Sequence, residues 1–166
     1  IMPSLVGSEM CIRDSIMAAG ASTRFGSPKQ LAMFQGQTLL QRCIDSAGAL
    51  SPHSISAVLG ANYQQIEPEV SGAQIIINHD WQQGLGSSIA CGVKHIDSKA
   101  EAVLVLLADQ VQVGTEHIGV MALAFTGDNI VCANYSGSRG VPAIFPRSIF
   151  SQLQALTGDN GAKAIL

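Results

Sequence analysis

Ile16-Met17-Ala18-Ala19-Gly20-Ala21-Ser22-Thr23-Arg24-Phe25-Gly26-Ser27-Pro28-Lys29 is the stretch whose reading decides the fold: a strand end that opens into a loop of small residues. Small side chains from Ala18 to Ser22 allow backbone N–H groups to close on an anion, and Arg24 and Lys29 set two cations beside the same loop. A polyphosphate is the ligand such a loop suits. It is not a Walker A loop, because Gly20 and Gly26 are followed by Ser-Pro-Lys and not by Gly-Lys-Ser/Thr in register. Taken alone, the stretch also leaves open an ordinary strand-to-helix turn with two solvated cations.

Outward from this loop, strand and helix patterns alternate. Toward the N-terminus, Arg13, Asp14 and Ser15 stand where a buried strand should be apolar, so most of residues 1–15 is expected to be foreign to the fold or disordered, a cloning or sequencing scar, with only Ile16 and Met17 keeping the strand's end; a native but polar edge is the alternative. Toward the C-terminus, Leu39, Leu40, Cys43, Ile44, Ala47 and Leu50 recur at helical steps behind Thr38, a plausible cap. Ile55–Leu59 and Gln74–Ile77 read as strands, residues 61–67 as a helix stopped by Pro68, and residues 87–96 as a helix. Ala102–Leu107, the most hydrophobic run, ends abruptly at Ala108-Asp109-Gln110, as a central parallel strand would that delivers a carboxylate at its C-terminal edge. A helix over 115–125 and strands over 130–133 and 141–145 follow, the last an edge or bulged strand because of Pro142; helices are expected over 148–156 and from Asn160 onward. This alternation predicts an α/β fold, a doubly wound, mostly parallel sheet with helices on both faces, and a ligand across the C-terminal strand edges.

Composition narrows the function classes. At 166 residues, 47% hydrophobic and 13% charged, the chain has the size of one domain with a single core, spanning residues 16–166. A formal charge of −3 without runs of Lys or Arg argues against a nucleic-acid surface. Cys11, Cys43, Cys91 and Cys132 form no C-x-x-C pair, which suggests neither a zinc site nor a disulfide framework. With no apolar run near the roughly 20 residues of a membrane span and no leader pattern, the expected setting is cytoplasmic, without membrane partners.

The pattern A-A-G-x-S-x-R-x-G-x-x-K over Ala18–Lys29 resembles the signature of MobA-like nucleotidyltransferases, and within them most of all the molybdenum cofactor cytidylyltransferases. Ordered matches continue at Asn78-His79-Asp80-Trp81 with Gly84-Leu85-Gly86-Ser87-Ser88, at Leu107-Ala108-Asp109-Gln110, at Gly140-Val141-Pro142, and at Gly158-Asp159-Asn160-Gly161-Ala162-Lys163. The resemblance implies a Rossmann-like nucleotidyltransferase that uses Mg²⁺ to transfer CMP from CTP to the phosphate of molybdopterin cofactor, releasing pyrophosphate. A molybdoenzyme or its chaperone would receive the product. It also implies roles: Lys29 on the α-phosphate, Arg24 on the leaving phosphates, the N–H groups of Ala19, Gly20, Ala21 and Ser22 on the phosphate oxygens, and Ala18, Ala19, Ser87 and Ser88 around the nucleobase. Ala19, where guanylyl-transferring relatives carry a second Gly, goes with cytidine. A later acidic segment of the family, which brings a second metal ligand, has no counterpart up to Leu166, so the chain is expected to be C-terminally incomplete. Two alternatives stay open: a sugar phosphate or other small phosphorylated acceptor, and an inactive nucleotide-binding fragment.

Physical reading of the same residues agrees in part. An arginine fork suits several phosphate oxygens, and a lysine acts as a movable point charge. Asp109 at a strand end needs a compensating partner, and Mg²⁺ held by a carboxylate and phosphate oxygens would be one; a cap or turn role is the alternative. Asp159 either faces the acceptor or the metal, or caps the final helix, and Ser87 and Ser88 could be helix caps. Gly84-Leu85-Gly86 is a poor dinucleotide fingerprint, since Ile89 stands where a third Gly or Ala belongs. Trp81 reads more readily as a rim residue packed on the sheet than as a pterin-stacking one.

Overall fold

A strand bearing Arg13, Asp14 and Ser15 lies in the middle of the sheet, contrary to the pattern expectation. The computed structural model describes residues 10–51 and 54–166. Strand β1 (Ile12–Ala18) is followed by a short hairpin, β2 (Met33–Phe34) and β3 (Gln37–Thr38), then by α1 (Leu39–Gly48), β4 (Ile55–Leu59), α2 (Tyr63–Ile66) and β5 (Gln74–Ile77). The second half runs α3 (Leu85–Lys94), β6 (Ala102–Leu107), α4 (Thr115–Ala124), β7 (Val131–Tyr135), β8 (Ser138–Pro146) and α5 (Phe150–Gln154). Six strands form one sheet in the order β5-β4-β1-β6-β8-β7. β5, β4, β1 and β6 are parallel, and β8 and β7 add antiparallel pairs.

β1 pairs with β4 from Asp14 and with β6 from Ile12, so the strand begins well before Ile16. Its backbone is hydrogen-bonded on both sides, which compensates for polar side chains that pattern alone would exclude from a central strand. The cost remains in those side chains. Asp14 (4% exposed) and Ser15 (0%) are buried, and the Ser15 hydroxyl has no hydrogen-bond partner among the described residues. Arg13 escapes by pairing with Asp97 at 2.7 Å. The reading of residues 1–9 lies outside the described residues.

The expected single core is two layers, one on each face of the sheet. Alternation along β1 sends Ile16 and Ala18 to one face, where Leu40, Ile44 and Ala47 of α1 and Ile118 and Met121 of α4 cover them. Met17 turns to the other face, against Ile89 and Val93 of α3 and Leu153 of α5. Each fully buried Ile or Leu contributes about 1.5–3 kcal/mol. Thr38 caps α1, its side chain accepting from Gln41 N–H at 3.1 Å, which typically stabilises by about 1 kcal/mol.

Two local expectations need correction, and the Pro142 expectation resolves to the bulged alternative. Pro68 does not stop a continuous helix: α2 ends at Ile66 and a 3-10 turn over Glu67–Glu69 accommodates the proline near its start, where a missing N–H costs least. Pro142, with a cis peptide before it, lies in β8, which is interior; β7 is the edge. The irregularity is a bulge, since Cys132 pairs with Ala143 but Ala133 with Gly140. Residues 160–166 form successive turns and no helix, with Gly161 at φ +57°.

β1 has β4 on one side and β6 on the other, so the chain's strand order reverses at β1 and the loops leaving β1 and β6 part from each other. Such a reversal opens a crevice at the C-terminal edges, where ligands of open α/β sheets bind.

Candidate functional site

The crevice is a cavity of about 440 Å³. The loop after β1 (Ala18–Ser22) forms one wall, the end of β6 (Leu107–Asp109) another, and Trp81, Gly84, Leu85 and Ser88 the third; Lys29, Gln30 and Asp159 complete it. Of the residues singled out in the sequence, Ala18, Ala19, Gly20, Ala21, Ser22, Lys29, Ser88, Asp109 and Asp159 therefore converge on one space. Arg24 and Ser87 do not line it. Arg24 is exposed and borders a separate, shallow depression with Thr23 and Phe25, although Ser22 and Lys29 are common to both.

Among the described residues, no protein group accepts from the N–H of Ala19, Gly20, Ala21 or Ser22. Four successive free donors in a loop between strand and 3-10 turn are what an anion-binding concavity requires. Gly20 is exposed and a side chain there would meet nothing, so the loop is open to the cavity. Ser22 takes a left-handed backbone (φ +55°) and its hydroxyl accepts from Lys29 N–H at 3.0 Å, folding the lysine's segment back over the loop.

Lys29 and Asp109 meet across the mouth: Nζ lies 3.1 Å from Oδ2, both side chains a little under half exposed (45% and 46%). A pair this exposed contributes no more than about 1 kcal/mol, so a ligand can separate it cheaply. Asp109 is not a cap. It closes β6 as the sequence suggested, and its partner in this structure is the lysine.

Ser87 and Ser88 sit in the first turn of α3, whose cap position is Gly84, so neither caps the helix. Both hydroxyls accept from Asn78 Nδ2 at 3.0 Å, and the single Ser87 O–H has two carbonyl acceptors within reach, Asp80 (3.0 Å) and Gly84 (2.9 Å). Asn78, 4% exposed at the end of β5, is a hub that the sequence reading passed over, and its Oδ1 accepts from Asp80 N–H at 3.0 Å. It stood in the matched Asn78-His79-Asp80-Trp81 segment with no role attached, and its other signal was an amide directly after an apolar strand.

Gly84 and Gly86 are used for close approach. A Cβ on Gly84 would lie 2.6 Å from the Gly158 carbonyl, and one on Gly86 2.7 Å from the Thr157 oxygen. Gly84 also has φ +96°, and Gly86 N–H donates to Gly158 O at 2.8 Å. This contact carries Asp159 to the cavity from a distant part of the chain. Asp159 caps no helix, since none follows. Trp81 packs directly on Gly60, where a Cβ would lie 2.5 Å from the tryptophan Cβ, and it lines both this cavity and a second one that includes Tyr63. His79 stacks edge-on against Tyr63, ring centroids 6.2 Å apart.

Gln30 is the second residue that the sequence reading missed. It is 6% exposed, and its amide donates to Ala18 O (2.8 Å) and Gly20 O (3.0 Å) from beneath the loop.

A profile of the MobA-like NTP transferase domain matches residues 15–166. The chain belongs to the MobA-like NTP transferase family. Among curated relatives of this MobA-like chain, nicotine blue oxidoreductase of Paenarthrobacter nicotinovorans is 29% identical over 167 residues, covering 94% of this chain and 81% of that protein. Purine catabolism protein PucB of Bacillus subtilis (strain 168) is 26% identical over 161 residues, covering 90% and 78%. The crystal structure of Rv0371c from Mycobacterium tuberculosis H37Rv superposes with a TM-score of 0.84 at 25% identity, covering 94% of this chain and 81% of that one. That protein has also been solved in complex with manganese. The Rossmann-like nucleotidyltransferase fold is thus established for this chain, with the loop after β1 inside the matched region. Among the described residues, no helix is long and apolar enough to cross a membrane, and no three His, Cys, Asp or Glu side chains cluster as a ready-made metal site.

Proposed function

We propose that this MobA-like transferase moves CMP from CTP to the phosphate of molybdopterin cofactor, releasing pyrophosphate. The observation that carries the nucleotidyl-transfer part is the convergence of the free N–H groups of Ala19–Ser22, Lys29 and Asp109 on one cavity. In the transfer, an acceptor phosphate oxygen bonds to the α-phosphorus while the bond from that phosphorus to the β-phosphate bridging oxygen breaks, and the pair of electrons leaves on pyrophosphate. The chain's task is positioning and charge stabilisation. Loop N–H groups hold the phosphate oxygens, Lys29 leaves Asp109 for the α-phosphate, and Arg24, free to swing on an exposed loop, takes the leaving phosphates. Ala18, Ala19 and Ser88 shape the base end, while Ser87 supports it through Asn78.

Mg²⁺ fits the donor set, because Asp109 and Asp159 offer carboxylate oxygens to the same cavity and a triphosphate would complete the shell. When bound, it would supply charge neutralisation at the phosphates.

The acceptor side is supported by a cleft of about 240 Å³ that shares Leu85 and Leu107 with the main cavity and carries Arg139, Lys163, Tyr135 and Asn160. Two cations next to the nucleotide suit an anionic acceptor. One Arg139 nitrogen donates to Leu166 O at 2.9 Å. The oxidoreductase name of one relative finds no matching fingerprint here: Ile89 replaces a small residue, and Gly84 and Gly86 are occupied by the 157–159 turn.

The test is pyrophosphate release with CTP, GTP, ATP and UTP plus Mg²⁺, each with and without molybdopterin. Release with CTP that depends on molybdopterin supports the proposal. In parallel arms, a sugar phosphate replaces molybdopterin and thermal shift reads nucleotide binding: release that depends on the sugar phosphate would move the acceptor, and binding without release in any arm would reduce the chain to a nucleotide-binding protein.

A further inference from the structure

A glycine-rich loop binds anions only while its N–H groups, and not its carbonyls, face the cavity. In a trans peptide the carbonyl of one residue points opposite to the N–H of the next. Whatever holds the carbonyls of Ala18 and Gly20 therefore also aims the N–H groups of Ala19 and Ala21. Both carbonyls are held by Gln30. Its Nε2 donates to Ala18 O at 2.8 Å and to Gly20 O at 3.0 Å, using both of its hydrogens. Its Oε1 accepts from the Ser22 hydroxyl at 3.4 Å, and that hydroxyl accepts in turn from Lys29 N–H at 3.0 Å. Two carbonyl acceptors on one end of the amide settle which end is nitrogen.

We infer that Gln30 is a positioning residue for the phosphate loop, an amide clamp that turns the Ala18 and Gly20 carbonyls away from the nucleotide and couples the loop to the backbone of Lys29. This rests on the nucleotide reading of the cavity. At 6% exposure Gln30 sits beneath the loop and acts through it. A leucine or methionine would fill the same volume, yet would leave two carbonyls without their donor and free to rotate toward the phosphates. The feature that singles out Gln30 is that its side chain has a partner for each hydrogen, and that every partner belongs to the loop or to Ser22 at its end.

The test compares wild type, Gln30→Met, Ser22→Ala and the double variant. Dissociation constants for Mg·CTP and for Mg·pyrophosphate come from calorimetry, and amide hydrogen exchange is followed at Ala19–Ser22. Gln30→Met should weaken both probes by about 10-fold or more, from the loss of two hydrogen bonds, and should speed loop exchange while exchange in β4 and β6 stays slow. Ser22→Ala should give a smaller loss that does not add fully to the first, because the two side chains act in one network. Wild-type affinity together with unchanged loop exchange in Gln30→Met would overturn the clamp. Failure of wild type to bind either probe would sink the nucleotide reading instead, and the exchange data alone would then decide whether Gln30 orders the loop. Fast exchange throughout the variant, β4 and β6 included, would make Gln30 a residue of the core and would overturn its assignment as a loop clamp.

Discussion

Replacing Asp14 by asparagine should abolish a loss of stability that the wild-type chain suffers as pH rises from about 4 to about 8. Burial in the central strand pushes the Asp14 carboxyl from its ordinary 3.8 up to about 8, against a smaller opposing pull from the Arg13 charge. The unfolded chain releases this proton near pH 3.8 and the folded chain holds it to about pH 8. Between those values the native state binds the extra proton, so each rise of one pH unit lowers the unfolding free energy by about 1.4 kcal/mol. Stability is full below the lower value, falls through the window, and is flat above it. From pH 5 to pH 8 the loss is about 4 kcal/mol, a large part of the roughly 5–15 kcal/mol that holds a domain together. At an urea dependence of about 2 kcal/mol per molar, the unfolding midpoint should drop by about 2 M. Other displaced groups titrate elsewhere. Asp97 is held below its ordinary value, first by the Arg13 hydrogen bond, so its window lies below pH 4. Burial raises Cys43 from 9.0 to about 12 and also raises Cys91 above 9.0, so both act only in more alkaline solution. Asp14→Asn should flatten the profile, and Asp14→Val should also raise stability at both pH values by about 1–2 kcal/mol through apolar burial. Equal wild-type midpoints at pH 5 and pH 8, or an unchanged slope in Asp14→Asn, would refute the assignment of a neutral buried carboxyl at this position.

Lys29→Ala should lower turnover by roughly 10-fold to 150-fold, the equivalent of a charge-assisted contact of about 1.5–3 kcal/mol, in a pyrophosphate-release assay; unchanged turnover would remove Lys29 from the site. Asp109→Asn should weaken CTP binding in Mg²⁺ but strengthen it in EDTA, because the carboxylate that would hold the metal otherwise sits 3.1 Å from the lysine and close to where phosphate must lie; calorimetry that shows no change in either condition would make Asp109 structural. Gly60→Ala should expel Trp81 and cost about 1–3 kcal/mol, since the new Cβ would lie 2.5 Å from the tryptophan, and a red shift in the emission of this single tryptophan reports it. Lys163→Ala should raise KM for the anionic acceptor while leaving that for CTP in place; equal effects on both would dissociate the Arg139–Lys163 cleft from the acceptor.

Much of this protein could be read without coordinates. β4, β5 and β6 have the bounds that their apolar runs predict; β4 and β6 lie inside the sheet, where a strand buried on both faces admits little else, while β5 is an edge strand with Gln74 exposed. The loop of small residues follows β1 where the sequence put it, with Lys29 beside the same cavity. Asp109 was legible for a related reason: a carboxylate that directly ends a buried strand must sit at the sheet's edge. Other features depend on neighbours remote in sequence. β1 accepts Arg13, Asp14 and Ser15 because β4 and β6 satisfy its backbone on both sides, which no local pattern records. Residues 160–166 form turns and not a helix, with Gly161 left-handed and tight against Leu85, where an added Cβ would lie 2.8 Å from its side chain. Gln30 reads as one more amide in a polar loop, and Asn78 as a strand-end residue, until folding sets each against its partners. The sequence by itself determined the order of the elements and the chemical kind of the loop, since both follow from short-range periodicity and residue type. Which carbonyls face away from the cavity, which carboxylates share it, and what a buried aspartate costs were decided only when segments remote in sequence, such as Lys29 and Asp109, 80 positions apart, were brought into contact.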